Sequence, residues 1–369
     1  MKRKLERRKS FIDWFINSNG ATSVAVVFLG FLFGTILVAV VGKNPFNMFK
    51  AIFVSMVGQA NNKGIWNFRY VGETLAYSIP YVLTGLTMAF ACRVGLFNIG
   101  GEGQYVIGMT IAQMVALLVP AFPGLWVLCL VLAVIGGAIW GGIVGILKAK
   151  FQVSEVVATI MLNYVALYGS RLVSLQLPGA TTYKTAALPS QAFLSKMIIP
   201  TSNLNISFII MIGACLLYWF IMEKTKLGFG FRATGLNKDA ARCSGINVVK
   251  NISLAMAISG AFSGLAGACV LLGGAFTSGR ILAAQDNYGF MGIAVALVGN
   301  NTALGTFIAG ILFGILKESQ SLMQNMDIPK EITFIIQGLI VVFIALRSGL
   351  ELVKQLREKQ KVRKEVLAK

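Results

Sequence analysis

Long apolar runs, separated by short polar or glycine-rich segments, dominate the hydrophobic pattern of the chain. Several runs exceed the length of about 18 residues that is typical of a membrane-spanning helix. They are continuous, which argues against the alternating strands of a membrane β-barrel. The pattern predicts an all-α polytopic membrane protein with about ten transmembrane or half-membrane helices. The predicted helices are 22–42, 72–92, 97–121, 124–147, 155–175, 206–223, 250–273, 287–300, 302–317 and 331–347.

Four segments interrupt this regular pattern. The run 287–300 is too short to cross a hydrocarbon core of about 30 Å at about 1.5 Å per residue, so we expect a half-helix there. The stretch 93–104 combines glycines with polar residues and predicts a second break. Segment 43–71 contains phenylalanines and methionines that predict an amphipathic helix on the outer surface. Segment 176–205 contains three prolines and predicts an outer loop with little regular structure.

The composition agrees with a membrane protein, because 56% of the residues are hydrophobic and 13% are charged. The net charge is +19, and most Lys and Arg residues lie at helix ends and in the tails. The positive-inside rule accounts for this charge without nucleic-acid binding, and it places both termini in the cytoplasm. We expect a basic N-terminus (1–21), one transmembrane domain (22–347) with a cytoplasmic segment at 224–250, and a basic C-terminal tail (348–369).

Residue types and motifs that the sequence lacks exclude several kinds of chemistry. There is no His, which excludes His-based acid–base catalysis, His metal ligands and His-containing triads. The five Cys form no C-x-x-C pair, which argues against a redox motif or a zinc site. No G-x-x-x-x-G-K-[ST] motif occurs, so the chain does not bind ATP through a P-loop. We therefore expect no catalytic residue, no metal and no cofactor bound by this chain.

Glycine spacing and a short internal match predict close helix packing and a repeat. The sequence Gly-Ile-Leu-Lys ends the predicted fourth helix at 145–148 and recurs at the predicted end of the ninth at 314–317. In each half it follows a broken polar region, so we expect two inverted-topology repeats, as in many transporters. Glycines spaced four apart allow two helix backbones to approach closely. They occur at Gly30/Gly34, Gly137/Gly141/Gly145, Gly260/Gly264 and Gly310/Gly314.

Polar residues within or beside the apolar helices are candidates for a solute pathway. Such residues are costly in lipid, so they face a cavity, a partner or another helix. At the first break the alternative is an ordinary polar turn. Asn163 is either an interhelical hydrogen-bonding residue or a pathway residue. The candidate pathway residues are Asn98, Glu102, Gln104, Glu155, Asn163, Asn287 and Asn300, and the run 285–288 is a further candidate for substrate or partner contact.

The segment 224–250 is predicted to contain a short rigid element. Asn237 is a good helix N-cap and Gly245 a good helix stop, which predicts a helix from about Lys238 to Ser244. This helix would form a knob across the ends of two membrane spans. A plain solvated loop is the alternative.

Three stretches resemble a known protein family. The stretches 97–104, 154–164 and 232–247 are similar to the inner-membrane permeases of ABC importers of the branched-chain amino acid, ribose and nucleoside superfamily. The likeness is to the nucleoside branch, which is associated with basic membrane lipoproteins, and it covers about residues 20–350. It implies a transport subunit of the bacterial cytoplasmic membrane, not an enzyme.

The resemblance also implies partners. These are an ABC ATPase subunit that uses the ATP, a second and different permease chain, and an extracytoplasmic substrate-binding lipoprotein that delivers nucleosides. The segment that docks on the ATPase would contain Arg232, Gly235, Asn237, Asp239, Ala240, Ala241, Gly245 and Asn247. Asp239 stands where the family often has Glu, and no Leu-Pro follows. Movement of this segment would open a path near Asn98, Glu102 and Asn163.

Three other functions fit parts of the same pattern. A permease for ribose, another small polar solute or a branched-chain amino acid would have the same architecture. An ion-coupled secondary transporter would also have broken helices and inverted repeats, but it would work without an ATPase. A membrane enzyme would need a set of catalytic residues that the sequence does not supply.

Overall fold

The computed structural model describes residues 19–60, 66–197, 199 and 201–343. Nearly all of the predicted N-terminal tail (1–21), the whole C-terminal tail (348–369) and the end of the helix predicted at 331–347 lie outside these residues. The described chain is predominantly α-helical, and its few strands are short. The prediction of an all-α architecture is therefore confirmed.

The helices are numbered here in chain order. They are α1 (Asn19–Val40), α2 (Pro45–Val57), α3 (Arg69–Arg93), α4 (Gly101–Leu118), α5 (Leu125–Phe151), α6 (Glu155–Ser174), α7 (Ser207–Trp219), α8 (Lys226–Leu236), α9 (Lys238–Cys243), α10 (Val248–Leu272), α11 (Tyr288–Val298), α12 (Ala303–Gln324) and α13 (Glu331–Phe343). A π-helical turn, Phe220–Lys224, continues α7.

Five helices within the described residues are long and apolar enough to cross a membrane. They are Arg69–Arg93, Leu125–Phe151, Glu155–Ser174, Ser207–Lys224 and Val248–Leu272. The short helix α11 agrees with the predicted half-helix at 287–300. Helix α2 lies where an amphipathic helix was predicted, and it exposes Phe46, Phe49 and Phe53.

The structure differs from the predicted helices at several points. Helix α4 begins at Gly101 and not at residue 97, because the Asn98 side chain holds the preceding backbone outside the helix. Helix α12 continues to Gln324, so the Gly-Ile-Leu-Lys sequence at 314–317 lies inside the helix and does not end it. Packing explains the extension, because the polar residues Glu318 and Ser319 are buried. Helix α8 was not predicted, since its three glycines suggested a loop.

The unit Ala51–Ser319 is built around α10, which packs against α3, α4 and α5. Glycines allow the backbones of α5 and α10 to touch. A β-carbon added to Gly264 would lie 2.4 Å from the carbonyl oxygen of Ala133, and one added to Gly260 would lie 2.2 Å from that of Gly137. The predicted role of these glycines in close packing is confirmed.

The second unit comprises residues 19–50 and 320–343 of the described chain. Here α1 packs against α13. A β-carbon on Gly30 would lie 2.6 Å from Ile340 Cγ1, and one on Gly34 would lie 2.5 Å from Ile336 Cδ1. Ile336 and Ile340 are fully buried. The predicted close packing at this glycine pair is also confirmed.

The connection between α6 and α7 has little regular structure, as the prolines predicted. Its strand β3 (Lys184–Ala187) pairs antiparallel with β4 (Ser278–Arg280), which lies between α10 and α11. A second pair, β1 (Gln59–Ala60) and β2 (Trp66–Asn67), precedes α3. The β3–β4 pair fixes the loop after α10 against the α6–α7 connection, and both loops contribute to the site described below.

Candidate functional site

The break between α3 and α4 is held together by buried polar side chains. Asn98 Nδ2 donates hydrogen bonds to Gln104 Oε1 at 3.1 Å and to Ser259 Oγ at 2.7 Å. Ser259 Oγ donates in turn to the carbonyl oxygen of Thr87 at 2.7 Å. Asn98 and Gln104 are almost completely buried. This network ties α3, α4 and α10 together around an irregular backbone, which is the arrangement that such a segment needs inside a membrane.

Glu102 joins the beginning of α4 to the beginning of α11. Its carboxylate accepts hydrogen bonds from the backbone N–H groups of Asn287 at 2.8 Å and Gly289 at 2.7 Å. A β-carbon on Gly289 would lie 2.1 Å from the backbone nitrogen of Glu102, so the two chain segments are in direct contact. Glu102 is fully buried. We call this junction, formed by Glu102, Asn287 and Gly289, the Glu102 seam.

Asn163 of α6 completes the support of the broken segment. Its Oδ1 accepts a hydrogen bond from the backbone N–H of Gly103 at 2.8 Å, and its Nδ2 donates to the carbonyl oxygen of Ile99 at 3.1 Å. Both bonds reach backbone groups of another helix or its N-terminal turn. Of the two interpretations made from the sequence, these contacts favour interhelical hydrogen bonding over a pathway role.

Two candidate residues lie away from the seam. Glu155 begins α6 and forms an ion pair with Lys148 of α5, with 2.7 Å between Oε2 and Nζ. Asn300 has a φ of 51° and lies in the turn that connects α11 to α12. The structure therefore brings together Asn98, Glu102, Gln104, Asn163 and Asn287, but not Glu155 and Asn300. Contact of these residues with a transported solute stays a prediction.

An ion pair lies in the loop before α11. Arg280 donates to both carboxylate oxygens of Asp286, at 2.5 and 2.8 Å, and Tyr105 Oη donates to Asp286 at 2.9 Å. The Phe276 ring stacks on the guanidinium at 4.4 Å. Burial would lower the pKa of Arg280, but the hydrogen bond and charge of Asp286 outweigh it and raise this pKa above its ordinary value. The sequence marked Asp286 as polar but gave no signal that its partner was Arg280.

A cavity of about 160 Å³ opens between α3, α10 and the two loops. We call it the Glu73 cavity. Its walls include Glu73, Tyr77, Asn203, Cys269, Phe276 and Tyr288. Tyr288 is the first residue of α11, so the cavity borders the segment whose backbone Glu102 holds. The ring of Tyr288 also lies 5.6 Å from that of Tyr105, measured between centroids.

Glu73 supplies a carboxylate to the wall of this cavity. It accepts a hydrogen bond from the backbone N–H of Asn203 at 3.1 Å, and two more from the Asn203 side-chain amide at 3.1 and 3.3 Å. Glu73 was not among the candidates chosen from the sequence, although an acidic residue in an apolar helix is a recognised functional signal. Asn203 could not be found in this way, because it lies in a loop 130 residues away.

Helices α8 and α9 form a platform at the opposite end of α3 from Glu73. Asn237 caps α9, accepting hydrogen bonds from the backbone N–H groups of Asp239 and Ala240, each at 3.0 Å. Ala241 is buried under the helix, and Gly245 ends it with a φ of 79°. The predicted short helix is therefore confirmed, ending at Cys243 rather than Ser244. Asn247 caps α10 through the N–H of Lys250.

The platform is fixed to the end of α3 next to the break. Glu223 forms ion pairs with Arg93 of α3 and, at 2.6 Å, with Arg232 of α8. A β-carbon on Gly235 would lie 2.5 Å from the carbonyl oxygen of Arg93, so α8 touches the α3 backbone there. The chain runs from this contact directly into the segment that carries Asn98. Movement of the platform would therefore act on the Glu102 seam through a short path.

Within the described residues, no group of three or more acidic or Cys side chains is arranged to hold a metal ion. The site instead combines a closed polar seam, a cavity beside it and a platform at one end of α3. A concave, largely apolar cavity with a few polar groups is the usual form of a small-molecule site.

The comparisons with known proteins agree with this geometry. A family model described as a branched-chain amino acid transport system permease component matches residues 70–345. The chain belongs to this permease family. It is thus a multi-pass membrane protein and an ABC transporter permease, a transport subunit whose family works with a separate ATPase and a substrate-binding protein.

Three relatives match this permease over most of both chains. The guanosine ABC transporter permease protein NupP of Bacillus subtilis is 38% identical over 326 residues, which are 86% of this chain and 91% of the relative. The nucleoside ABC transporter permease protein NupB of Lactococcus lactis is 36% identical over 341 residues, or 89% and 91%. The glucose permease TsgB13 of Haloferax volcanii is 28% identical over 360 residues, or 92% and 90%. No solved structure matches the chain.

Proposed function

We propose that this chain is the membrane-spanning permease subunit of an ABC importer for nucleosides. The observation that carries the proposal is the similarity to the guanosine permease NupP and the nucleoside permease NupB over about nine-tenths of each relative. The glucose permease TsgB13 covers as much of the chain at lower identity. The alternative cargo, ribose or another small polar solute, therefore has less support.

The Glu73 cavity supports a nucleoside cargo on chemical grounds. A water molecule takes up about 30 Å³ in the liquid, so the cavity has space for roughly five waters, which is the scale of a base and less than that of a whole nucleoside. Tyr77, Phe276 and Tyr288 supply aromatic surface, and Glu73 with Asn203 supplies hydrogen-bonding groups. A neutral sugar–base solute needs both kinds of group.

The remaining parts of the proposal concern assembly. A lipoprotein of the substrate-binding type delivers the nucleoside, a different permease chain completes the membrane pore, and the ATPase docks on the α8–α9 platform. This chain binds no cofactor, and the ATP is used by the ATPase. Both termini lie in the cytoplasm of a bacterial plasma membrane, which places the platform inside and the Glu73 cavity toward the outside.

The test is uptake of labelled guanosine and adenosine in cells with and without this gene. Excess unlabelled ribose and an ionophore are added in parallel, with cellular ATP maintained. We expect uptake that requires the gene, is not reduced by excess ribose and persists when the ion gradients collapse. Competition by ribose would favour a sugar permease, and loss with the ion gradient would favour an ion-coupled secondary transporter. Uptake that is independent of the gene would refute the nucleoside assignment.

A further inference from the structure

The hydrogen bonds of Glu73 leave it able to exchange partners with a solute. A carboxylate has about four acceptor positions, and Asn203 occupies three of them. One of these three bonds comes from a backbone N–H, while the other two come from a single side-chain amide at 3.1 and 3.3 Å. A solute can displace that amide without moving the backbone, because the side chain of Asn203 rotates independently.

After this exchange, Glu73 and Asn203 would present a specific set of hydrogen-bond donors and acceptors to a solute. The carboxylate accepts hydrogen bonds only, and the freed amide of Asn203 offers two donors and one acceptor. The complementary ligand edge has two adjacent N–H donors for Glu73 and a neighbouring acceptor for the Asn203 NH₂. Guanine has this pattern in its N1–H and N2–H₂ donors and its O6 acceptor. Adenine instead places the unprotonated N1, an acceptor, toward the carboxylate.

Resting on the function proposed above, we infer that the Glu73 cavity binds the base of the cargo and selects guanine. Glu73 accepts from the base N1–H and N2–H₂, Asn203 donates to O6, and the rings of Tyr77, Phe276 and Tyr288 pack against the base. Bases are read in this way elsewhere, by hydrogen bonds to the Watson–Crick edge and by stacking on aromatic side chains. Glu73 and Asn203 thus act as specificity residues of the permease itself.

The location of the cavity agrees with such a role. Glu73 lies twenty residues from Arg93 along α3, which is roughly 30 Å at the helical rise. The cavity is thus far from the platform, and Tyr288 separates it from the Glu102 seam. A base bound there lies beside the Glu102 seam, and it passes the seam only when the beginnings of α4 and α11 separate.

The experiment compares Glu73→Gln with the wild-type chain in cells that express the complete transport system. Uptake of labelled guanosine, inosine and adenosine is measured with the same binding protein, so a change in selectivity comes from the permease. The Gln amide can donate to the unprotonated N1 of adenine, which the Glu73 carboxylate cannot. We expect the guanosine-to-adenosine uptake ratio to fall about 10- to 100-fold, which corresponds to the loss of one charge-assisted hydrogen bond. Inosine, which lacks N2–H₂, should be affected less than guanosine.

Glu318→Gln is the matched control. Glu318 is a buried carboxylate of α12 that interacts electrostatically with Glu73 and Tyr77. The control makes the same substitution at a neighbouring buried carboxyl group that does not line the cavity, and we expect an unchanged ratio. An equal fall in both variants would show that charge and not contact sets the ratio, and would overturn the proposal. Wild-type selectivity in Glu73→Gln would also overturn it. Failure of the wild type to transport any nucleoside would instead refute the proposed function.

A second measurement does not require Glu73→Gln to assemble. Ala76 lines the cavity, and Ala76→Cys is reacted with a small water-soluble maleimide in the purified complex. Guanosine should slow this reaction, whereas adenosine at equal concentration should slow it less. The wild-type complex, which has Ala76 and all the native cysteines, is the control, and its reaction rate is subtracted as background. Equal protection by guanosine and adenosine, or protection by neither, would contradict the proposal.

Discussion

The Glu102 seam allows a prediction of graded stability loss. Glu102→Gln keeps the shape of the side chain but replaces one carboxylate oxygen by an NH₂ group, which cannot accept a hydrogen bond. In the wild-type chain the carboxylate accepts hydrogen bonds from two backbone N–H groups, those of Asn287 and Gly289. One of these N–H groups must lose its acceptor, because the side chain is fully buried and water does not replace the lost oxygen.

The magnitude follows from the number and type of these bonds. A hydrogen bond to a charged group contributes about 1.5–3 kcal/mol, and a neutral one about 1 kcal/mol. Glu102→Gln removes one charge-assisted bond and makes the other neutral, so we expect a loss of about 2–5 kcal/mol. Glu102→Ala leaves both backbone donors unmet, and we expect a larger loss, of about 3–6 kcal/mol.

The assay is thermal unfolding of the purified transport complex in lipid nanodiscs. We expect the melting temperature to fall from wild type to Glu102→Gln and further to Glu102→Ala. Glu331→Gln changes an exposed carboxylate on α13, so it should stay within about 0.5 kcal/mol of the wild type. Melting temperatures for both Glu102 variants that equal the wild-type value would refute the conclusion that this carboxylate holds α4 and α11 together.

Three further predictions concern other contacts. Asn163→Leu removes two hydrogen bonds to a neighbouring backbone, so the melting temperature of the complex should fall, and an unchanged value would contradict this packing role. Gly264→Ala forces α5 and α10 apart and should destabilise the complex by about 1–3 kcal/mol, whereas Gly213→Ala, with open space around it, should not. Gly245→Val strains the end of α9 and should reduce uptake more than ATP hydrolysis; unchanged uptake would exclude a role in coupling.

The apolar pattern predicted most of the helices because a membrane span depends on local composition. Helix α6 begins and ends within a residue of its predicted limits, and α9 was found from its N-cap, Asn237, and its stop, Gly245. Errors arose where packing outweighed local pattern. The buried polar end of α12 resembles a loop in the sequence. The glycines of α8 are unfavourable in helices, although Thr225 is an N-cap for this helix.

The site could be predicted only in part. The sequence identified the polar residues of the broken segment, because polar groups among apolar helices are conspicuous. It could not identify their partners, because these lie far away in the sequence. Glu102 is separated from its two partners by 185 and 187 positions, and Glu73 from its partner by 130 positions. Such pairs depend on which helices pack together. The Glu73 cavity, which forms between α3, α10 and two loops, has no signature in any one stretch of sequence.

The way in which Glu102 joins two helix ends also bears on which solutes are excluded. A helix N-terminus carries roughly half a positive charge, and two of them facing each other would attract an anion such as a phosphate group. Here the chain's own carboxylate occupies that position and uses the donors of Asn287 and Gly289. A phosphorylated cargo would find these two donors already occupied. We therefore expect the junction to offer no anion-binding site, so that a phosphate group gains a solute nothing there.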